Sequence, residues 1–157
     1  MKNYKLHVSE GFKDSFGLEM LVKKEIEYRT LKTFSSFGYE LIKTPTVEYI
    51  DVYSEHGIQK PDVYNLINRQ GEVMALCNDM TASIARFVAS NPSSEIMKYC
   101  YCADVFRYPR LYQGKQHQFL QAGVEYIGNA SLEADVECIC LAYRCLVACN
   151  IHNFTIC

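Results

Sequence analysis

Residues 99–128, YCYCADVFRYPRLYQGKQHQFLQAGVEYIG, decide the fold of this 157-residue chain. Two strand-like runs flank a polar loop that holds Pro109, Gly114 and Lys115. Alternate side chains of a pleated strand share a face. Tyr99, Tyr101, Ala103, Val105 and Arg107 therefore share one side of the first run, and Cys100, Cys102, Asp104 and Phe106 the other. In the second run Phe119, Gln121, Gly123, Glu125 and Ile127 fall together. An arginine, a glutamine and a glutamate among apolar neighbours are out of place on a plain core sheet. Polar groups on a half-buried sheet need partners, and a bound ligand is one candidate.

Outward from this hairpin the spacing alternates between helix and strand. Over residues 16–37, Leu18, Leu21, Val22, Ile26, Thr30, Thr33, Phe34 and Phe37 recur at helical spacing. Asp14 or Ser15 is the expected cap and Gly38 the stop. Residues 39–43 read as a short strand, ended by Pro45. Residues 63–67 and 72–76 read as a hairpin about Arg69-Gln70-Gly71. A second helix is expected over 79–89, capped by Asp79, with Ile84, Phe87 and Val88 on one side. A third is expected over about 132–149, with Val136, Ile139, Tyr143, Leu146 and Val147 as its apolar stripe. The tail, 153–157, reads as a strand, and its apolar end implies a fold that continues beyond Cys157. The order of elements gives an α+β fold, an antiparallel sheet with helices packed on it.

Composition sets the class. At 49% hydrophobic and 22% charged residues, the chain has the make-up of an ordinary globular domain. No apolar run approaches the roughly 20 residues of a membrane span, and the start lacks a signal-peptide core, so a cytoplasmic location is expected. The 8 cysteines are then read as thiols. They form no C-x2-C pair, and His7, His56, His117 and His152 are scattered, so no metal is expected. A net charge of −2 without a basic block gives no nucleic-acid stripe.

The hairpin resembles motif 2 of the class II aminoacyl-tRNA synthetases, an F-R-x-E strand, a loop and a returning strand. The run Gln118-Phe119-Leu120-Gln121-Ala122-Gly123-Val124-Glu125 brings it nearest to histidyl-tRNA synthetase and to that enzyme's paralogue, the regulatory subunit of ATP phosphoribosyltransferase. The likeness extends over nearly all of residues 1–157 as one synthetase-like domain. Ser9-Glu10-Gly11-Phe12-Lys13-Asp14 resembles the P-E-G-x-x-D opening of the regulatory subunits. Phe37-Gly38-Tyr39-Glu40-Leu41-Ile42-Lys43-Thr44-Pro45 resembles motif 1, which implies a homodimer interface at Tyr39 and Pro45. The segment from Leu76 to Arg86 resembles L-R-P-D/E-x-T-A.

The resemblance implies a histidine pocket. Asp79 would meet the α-ammonium group with Thr81 beside it, Gln121 and Glu125 would line the pocket, and Arg107 would stand as the motif 2 arginine. Each also has a structural use: Asp79 as a helix cap, Arg107 and Glu125 as a cross-strand ion pair, Gln121 as a half-exposed strand residue. A Cys–His nucleophile from Cys100, Cys102 and His117 would need a lowered thiol pKa and an orienting group.

Three departures bear on the reaction. Proline stands at 109 where the motif 2 glutamate would contact adenine, and proline offers neither a side-chain acceptor nor an N–H. Leu76-Cys77-Asn78 lacks the arginine of L-R-P, and motif 3 would lie beyond Cys157. These losses fit the regulatory paralogue, and the resemblance to it then implies a non-catalytic subunit that needs no cofactor, binds histidine, and partners the short-form ATP phosphoribosyltransferase catalytic subunit. The alternatives are a catalytic-domain fragment of a histidyl-tRNA synthetase and a paralogue that serves only to dimerise.

Overall fold

Gly17 (φ 59°) starts the first long helix, α1 (Leu18–Ser36). The computed structural model describes residues 4–54, 62–108 and 115–156. Gly17 occupies the cap position with no side-chain hydrogen bond, so neither Asp14 nor Ser15 caps the helix as expected. Its end follows the sequence: Gly38 adopts φ 81°, and the amides of Gly38 and Tyr39 donate back to Ser35 and Phe34 at 3.0 and 3.3 Å. That left-handed stop suits a residue without a side chain.

The chain divides into two compact units, one of Met1–Phe16, Thr44–Ala89 and Asp104–Leu120, the other of Gly17–Lys43, Ser90–Ala103 and Gln121–Cys157. Strands β5 (Met97–Phe106) and β6 (Gln118–Ile127) contribute residues to both.

In the second unit α1 and α4 (Leu132–Ala148) pack on a sheet ordered β1-β5-β6, in which β1 is Glu40–Leu41. Strand β1 runs parallel to β5, with Glu40 opposite Tyr99 and Leu41 opposite Cys100. This is a parallel pair inside an otherwise antiparallel fold. The core holds Phe34, Tyr39, Cys100 and Leu141, flanked by Val124 and Tyr126. The Cys100 side of β5 therefore faces the helices, and the Tyr101 side faces away from them.

Two expected stripes are corrected. On α1, Thr30 and Phe34 are buried, but Leu18, Leu21, Val22 and Ile26 are exposed. The reason is reach. Arg29 donates to the last carbonyl of α4, Ala148, at 2.9 Å, so α4 ends level with the middle of α1. On α4 the inward face is Ala134, Leu141 and the half-buried Cys138 and Cys145, whereas Val136, Ile139 and Tyr143 point outward. Apart from Leu141 the inward residues are small and let the helix sit close to its neighbours, whereas Val136, Ile139 and Tyr143 lie on the opposite side. Ser131 caps α4 through its hydroxyl, which accepts from Ala134 N at 3.3 Å. The tail forms no strand among the described residues, and Phe154 lies against the Tyr143 ring at 5.6 Å.

The first unit carries a second sheet, ordered β2-β4-β3, made of β2 (Val47–Tyr49), β3 (Asn65–Ile67) and β4 (Val73–Leu76), with all pairs antiparallel. The hairpin turn falls where expected. Asn68 Oδ1 accepts from the amides of Gln70 and Glu72 at 3.0 and 2.9 Å, and Gly71 takes φ 84°. A short helix, α2 (Asp51–Ser54), and α3 (Met80–Ser90) accompany this sheet. Tyr53, Val63, Ala75 and Ala82 form the core. Arg86 of α3 reaches Glu48 of β2 at 2.8 Å, which neutralises an otherwise buried carboxylate. No helix among the described residues is long and apolar enough to cross a membrane.

Candidate functional site

The site in the first unit is assembled where β4 gives way to α3. Cys77 is buried, its Sγ 3.6 Å from Met80 Sδ, and burial pushes its thiol pKa up. Its backbone is clamped on both sides: its amide donates to Thr46 O, and its carbonyl accepts from Phe106 N, each at 2.8 Å. Asn78 is buried as well. Its amide donates to the carbonyls of Asp62 and Phe106 at 2.9 and 3.4 Å, and its carbonyl accepts from Arg107 Nε at 3.0 Å. A buried side-chain amide that donates to two backbone carbonyls, next to a backbone carbonyl held by Arg107, fixes the loop that delivers the next residue.

That residue, Asp79, divides its carboxylate. Oδ1 accepts from Thr81 N at 2.8 Å and caps α3 as expected. Oδ2 lies 3.4 Å from Arg107 Nη2, longer than the roughly 2.7–2.9 Å of a tight charged pair. The two side chains remain 32% and 43% exposed, so the pair can exchange partners with a ligand. The Arg107 guanidinium also sits over the Phe119 ring, 5.4 Å from its centroid. Thr81 is exposed on the first turn of α3. A carboxylate and a guanidinium held side by side at a helix start complement the ammonium and carboxylate of an amino acid.

Beside Arg107 lies an aromatic cluster. His117 is buried, its Nδ1 hydrogen-bonded to the Tyr64 hydroxyl, with the rings of Phe12, Tyr64 and Tyr108 around it at 5.1–5.9 Å. The His117 amide donates to Gly11 O at 2.7 Å, and the Arg107 amide donates to His117 O at 2.9 Å. At Gly11 (φ 79°) any Cβ would run into the imidazole. The Ser9–Asp14 segment is thus anchored next to the backbone of Arg107. His117 is held by Tyr64, and burial raises the Cys100 thiol pKa, the reverse of what a reactive thiol needs. Among the described residues no three His, Cys, Asp or Glu side chains are grouped as metal ligands.

In the second unit Gln121 and Glu125 are half-buried on β6. Gln121 Nε2 donates to the hydroxyl of Tyr101, a residue only 4% exposed. A Cβ on Gly123 would collide with that phenol. Gly123 does not adopt a positive φ. It is therefore glycine for room, at a cost of about 0.5–1 kcal/mol relative to alanine in a strand. Tyr101 is not among the expected site residues, although a glycine inside a strand signals close approach of another group.

Structure places the expected residues as follows. Asp79, Thr81 and Arg107 come together in the first unit, Gln121 joins Tyr101 in the second, and Glu125 lies further along β6. Pro45 is exposed, whereas the Tyr39 side chain is buried, its hydroxyl donating to Glu137 at 2.9 Å. Pro109, Gly114 and Cys157 lie outside the described residues.

Comparison with known proteins bears on this geometry. A family model described as histidyl-tRNA synthetase matches residues 11–157. An ATP phosphoribosyltransferase regulatory subunit from Ruminiclostridium cellulolyticum is 37% identical over 99% of this chain, which spans 38% of that relative's length. A crystal structure from Bacillus halodurans C, titled an ATP phosphoribosyltransferase regulatory subunit/histidyl-tRNA synthetase, is 31% identical with a TM-score of 0.87, over 97% of this chain and 40% of that one. A histidine–tRNA ligase subunit from Alicyclobacillus acidocaldarius, 24% identical over 97% of this chain and 44% of its own, shares the fold with a TM-score of 0.77.

Proposed function

This chain belongs to the histidyl-tRNA synthetase family, and within that family we propose that it is part of a non-catalytic, histidine-binding regulatory subunit of ATP phosphoribosyltransferase. The names of its relatives support the regulatory reading. The observation that carries the ligand assignment is the Asp79–Arg107 pair, two opposite charges side by side in the complement of an amino-acid zwitterion. On this reading Asp79, Thr81 and Arg107 would take the ammonium and carboxylate end of histidine, and Gln121 and Glu125 would be the β6 residues that meet it.

Cys77 and Pro109 argue against adenylate chemistry. Activation of an amino acid needs positive charge and polar groups fixed around a triphosphate. At position 77 this chain has a buried thiol with a raised pKa, and at 109 a side chain with no acceptor. Histidine would then act as a signal. It would bind one state of the assembly with the short-form catalytic subunit more tightly than another, and a coupling of about 1–3 kcal/mol would change affinity roughly 5- to 150-fold. The subunit would work in the cytoplasm as a homodimer through motif 1. Pro45 and Leu41 are exposed for that contact, while buried Tyr39 would hold the strand in place.

Sedimentation of the protein with a short-form ATP phosphoribosyltransferase tests the partnership. A joint species whose stability changes with histidine is expected, and two independent boundaries at all histidine concentrations would reject it. A second reading, histidine activation, is favoured by the double name of the Bacillus halodurans relative. Histidine-dependent ATP–pyrophosphate exchange by the protein would establish that reading in place of ours.

A further inference from the structure

We propose that Tyr101 is a positioning residue that fixes the carboxamide of Gln121 and so sets how the pocket receives histidine; the inference rests on the histidine-binding reading above. A glutamine carboxamide has a donor end and an acceptor end, and its terminal torsion is broad and nearly two-fold. Left to itself it can present either end to a ligand. In this fold Gln121 Nε2 lies 3.1 Å from the Tyr101 hydroxyl. That contact holds the plane of the amide, with nitrogen against the phenol and oxygen at the opposite end. An oxygen held there is suited to accept from an imidazole N–H or an ammonium.

Three features mark the phenol as placed for this purpose. The ring is only 4% exposed, so the hydroxyl is held by packing. Gly123, two residues beyond Gln121 on the same face of β6, lacks the Cβ that would strike the phenol oxygen and its ring carbon. Glycine serves no conformational need there, since Gly123 is not among the residues with positive φ. The other side of β5 carries Cys100 into the helix-facing core, so Tyr101 is not spent on packing the helices. A phenylalanine would fill the same volume, which leaves the hydroxyl as the distinguishing group.

The test compares the protein with its Tyr101→Phe and Gly123→Ala variants by calorimetric titration with L-histidine. The side-chain amide signal of Gln121 is followed alongside in glutamine-labelled protein and identified by its loss in Gln121→Leu. Loss of one hydrogen bond to the positioned amide should weaken histidine binding about tenfold in Tyr101→Phe, with the fold intact by circular dichroism. The Gln121 amide signal should shift before any ligand is added, which a purely packing role for the ring would not cause. Gly123→Ala should reproduce both effects by displacing the phenol. Wild-type affinity in Tyr101→Phe, or an unmoved Gln121 signal, overturns this assignment and leaves histidine binding standing. Absence of histidine binding in the unaltered protein overturns the histidine reading and this assignment together.

Discussion

Lys98, Glu137 and Tyr39 form a network that ties α4 to the sheet of the second unit, and its removal has a calculable effect. Lys98 Nζ reaches both oxygens of Glu137 at 2.8 and 3.0 Å, and the Tyr39 hydroxyl adds a third hydrogen bond at 2.9 Å. The ammonium also lies over the Tyr126 and Tyr39 rings, 4.5 and 5.3 Å from their centroids. The side chains are 23% and 26% exposed, between a surface pair and a buried one. An exposed pair is worth about 0.5 kcal/mol and breaking a buried one costs about 3–5 kcal/mol. We therefore expect a coupling of about 1 kcal/mol between Lys98→Met and Glu137→Gln in a double-mutant cycle. For a domain of this size it corresponds to a melting shift of roughly 2–4 °C. The Lys98 hydrogen bond holds the Glu137 carboxyl below its ordinary pKa, and the same bond raises that of Lys98. The coupling is thus present across neutral pH. It is lost as pH falls through the folded pKa of Glu137, and lost again as pH rises through that of Lys98. Urea unfolding of the four proteins, followed by circular dichroism across that range, measures it. A coupling below about 0.3 kcal/mol at neutral pH, the noise of additive sites, would refute the reasoning.

Other outcomes follow from the packing and the thiols. Leu141 is fully buried, so Leu141→Ala should cost about 2–4 kcal/mol. Val136→Ser, on the outward face of α4, should stay within about 0.5 kcal/mol; equal losses in denaturant titrations would mean the two faces are assigned the wrong way round. Maleimide labelling with peptide mapping should modify exposed Cys140 well before Cys77, Cys100 and Cys145, whose thiols burial pushes up, Cys145 to about 11. Early modification of Cys77 would contradict its burial.

Much of the local chemistry was legible in the sequence, although the cap of α1 falls at Gly17 and not at Asp14 or Ser15, and long-range geometry was not. Asp79 as a cap, Gly38 as a stop and the Arg69-Gln70-Gly71 turn all act within a few residues, and each stands where its side chain or lack of one requires. Helix α4 misled because it is apolar on two faces. Spacing alone cannot choose between Val136, Ile139 and Tyr143 and the small residues Ala134, Cys138 and Cys145 that face inward. The parallel pairing of Glu40 with Tyr99 joins residues far apart in the chain, which no local pattern encodes. In the candidate site the charged residues were found by motif, but their supports, the Asn78 clamp and the Tyr101 phenol, belong to tertiary packing. Gly123 was the one local sign of the latter.

The central claim, that this protein holds histidine through Asp79 and its neighbours, meets its most direct test in calorimetric titration with L-histidine. We predict a saturable heat that Asp79→Ala abolishes while the protein stays folded. A flat titration at millimolar histidine, with folded protein in the cell, would contradict the account.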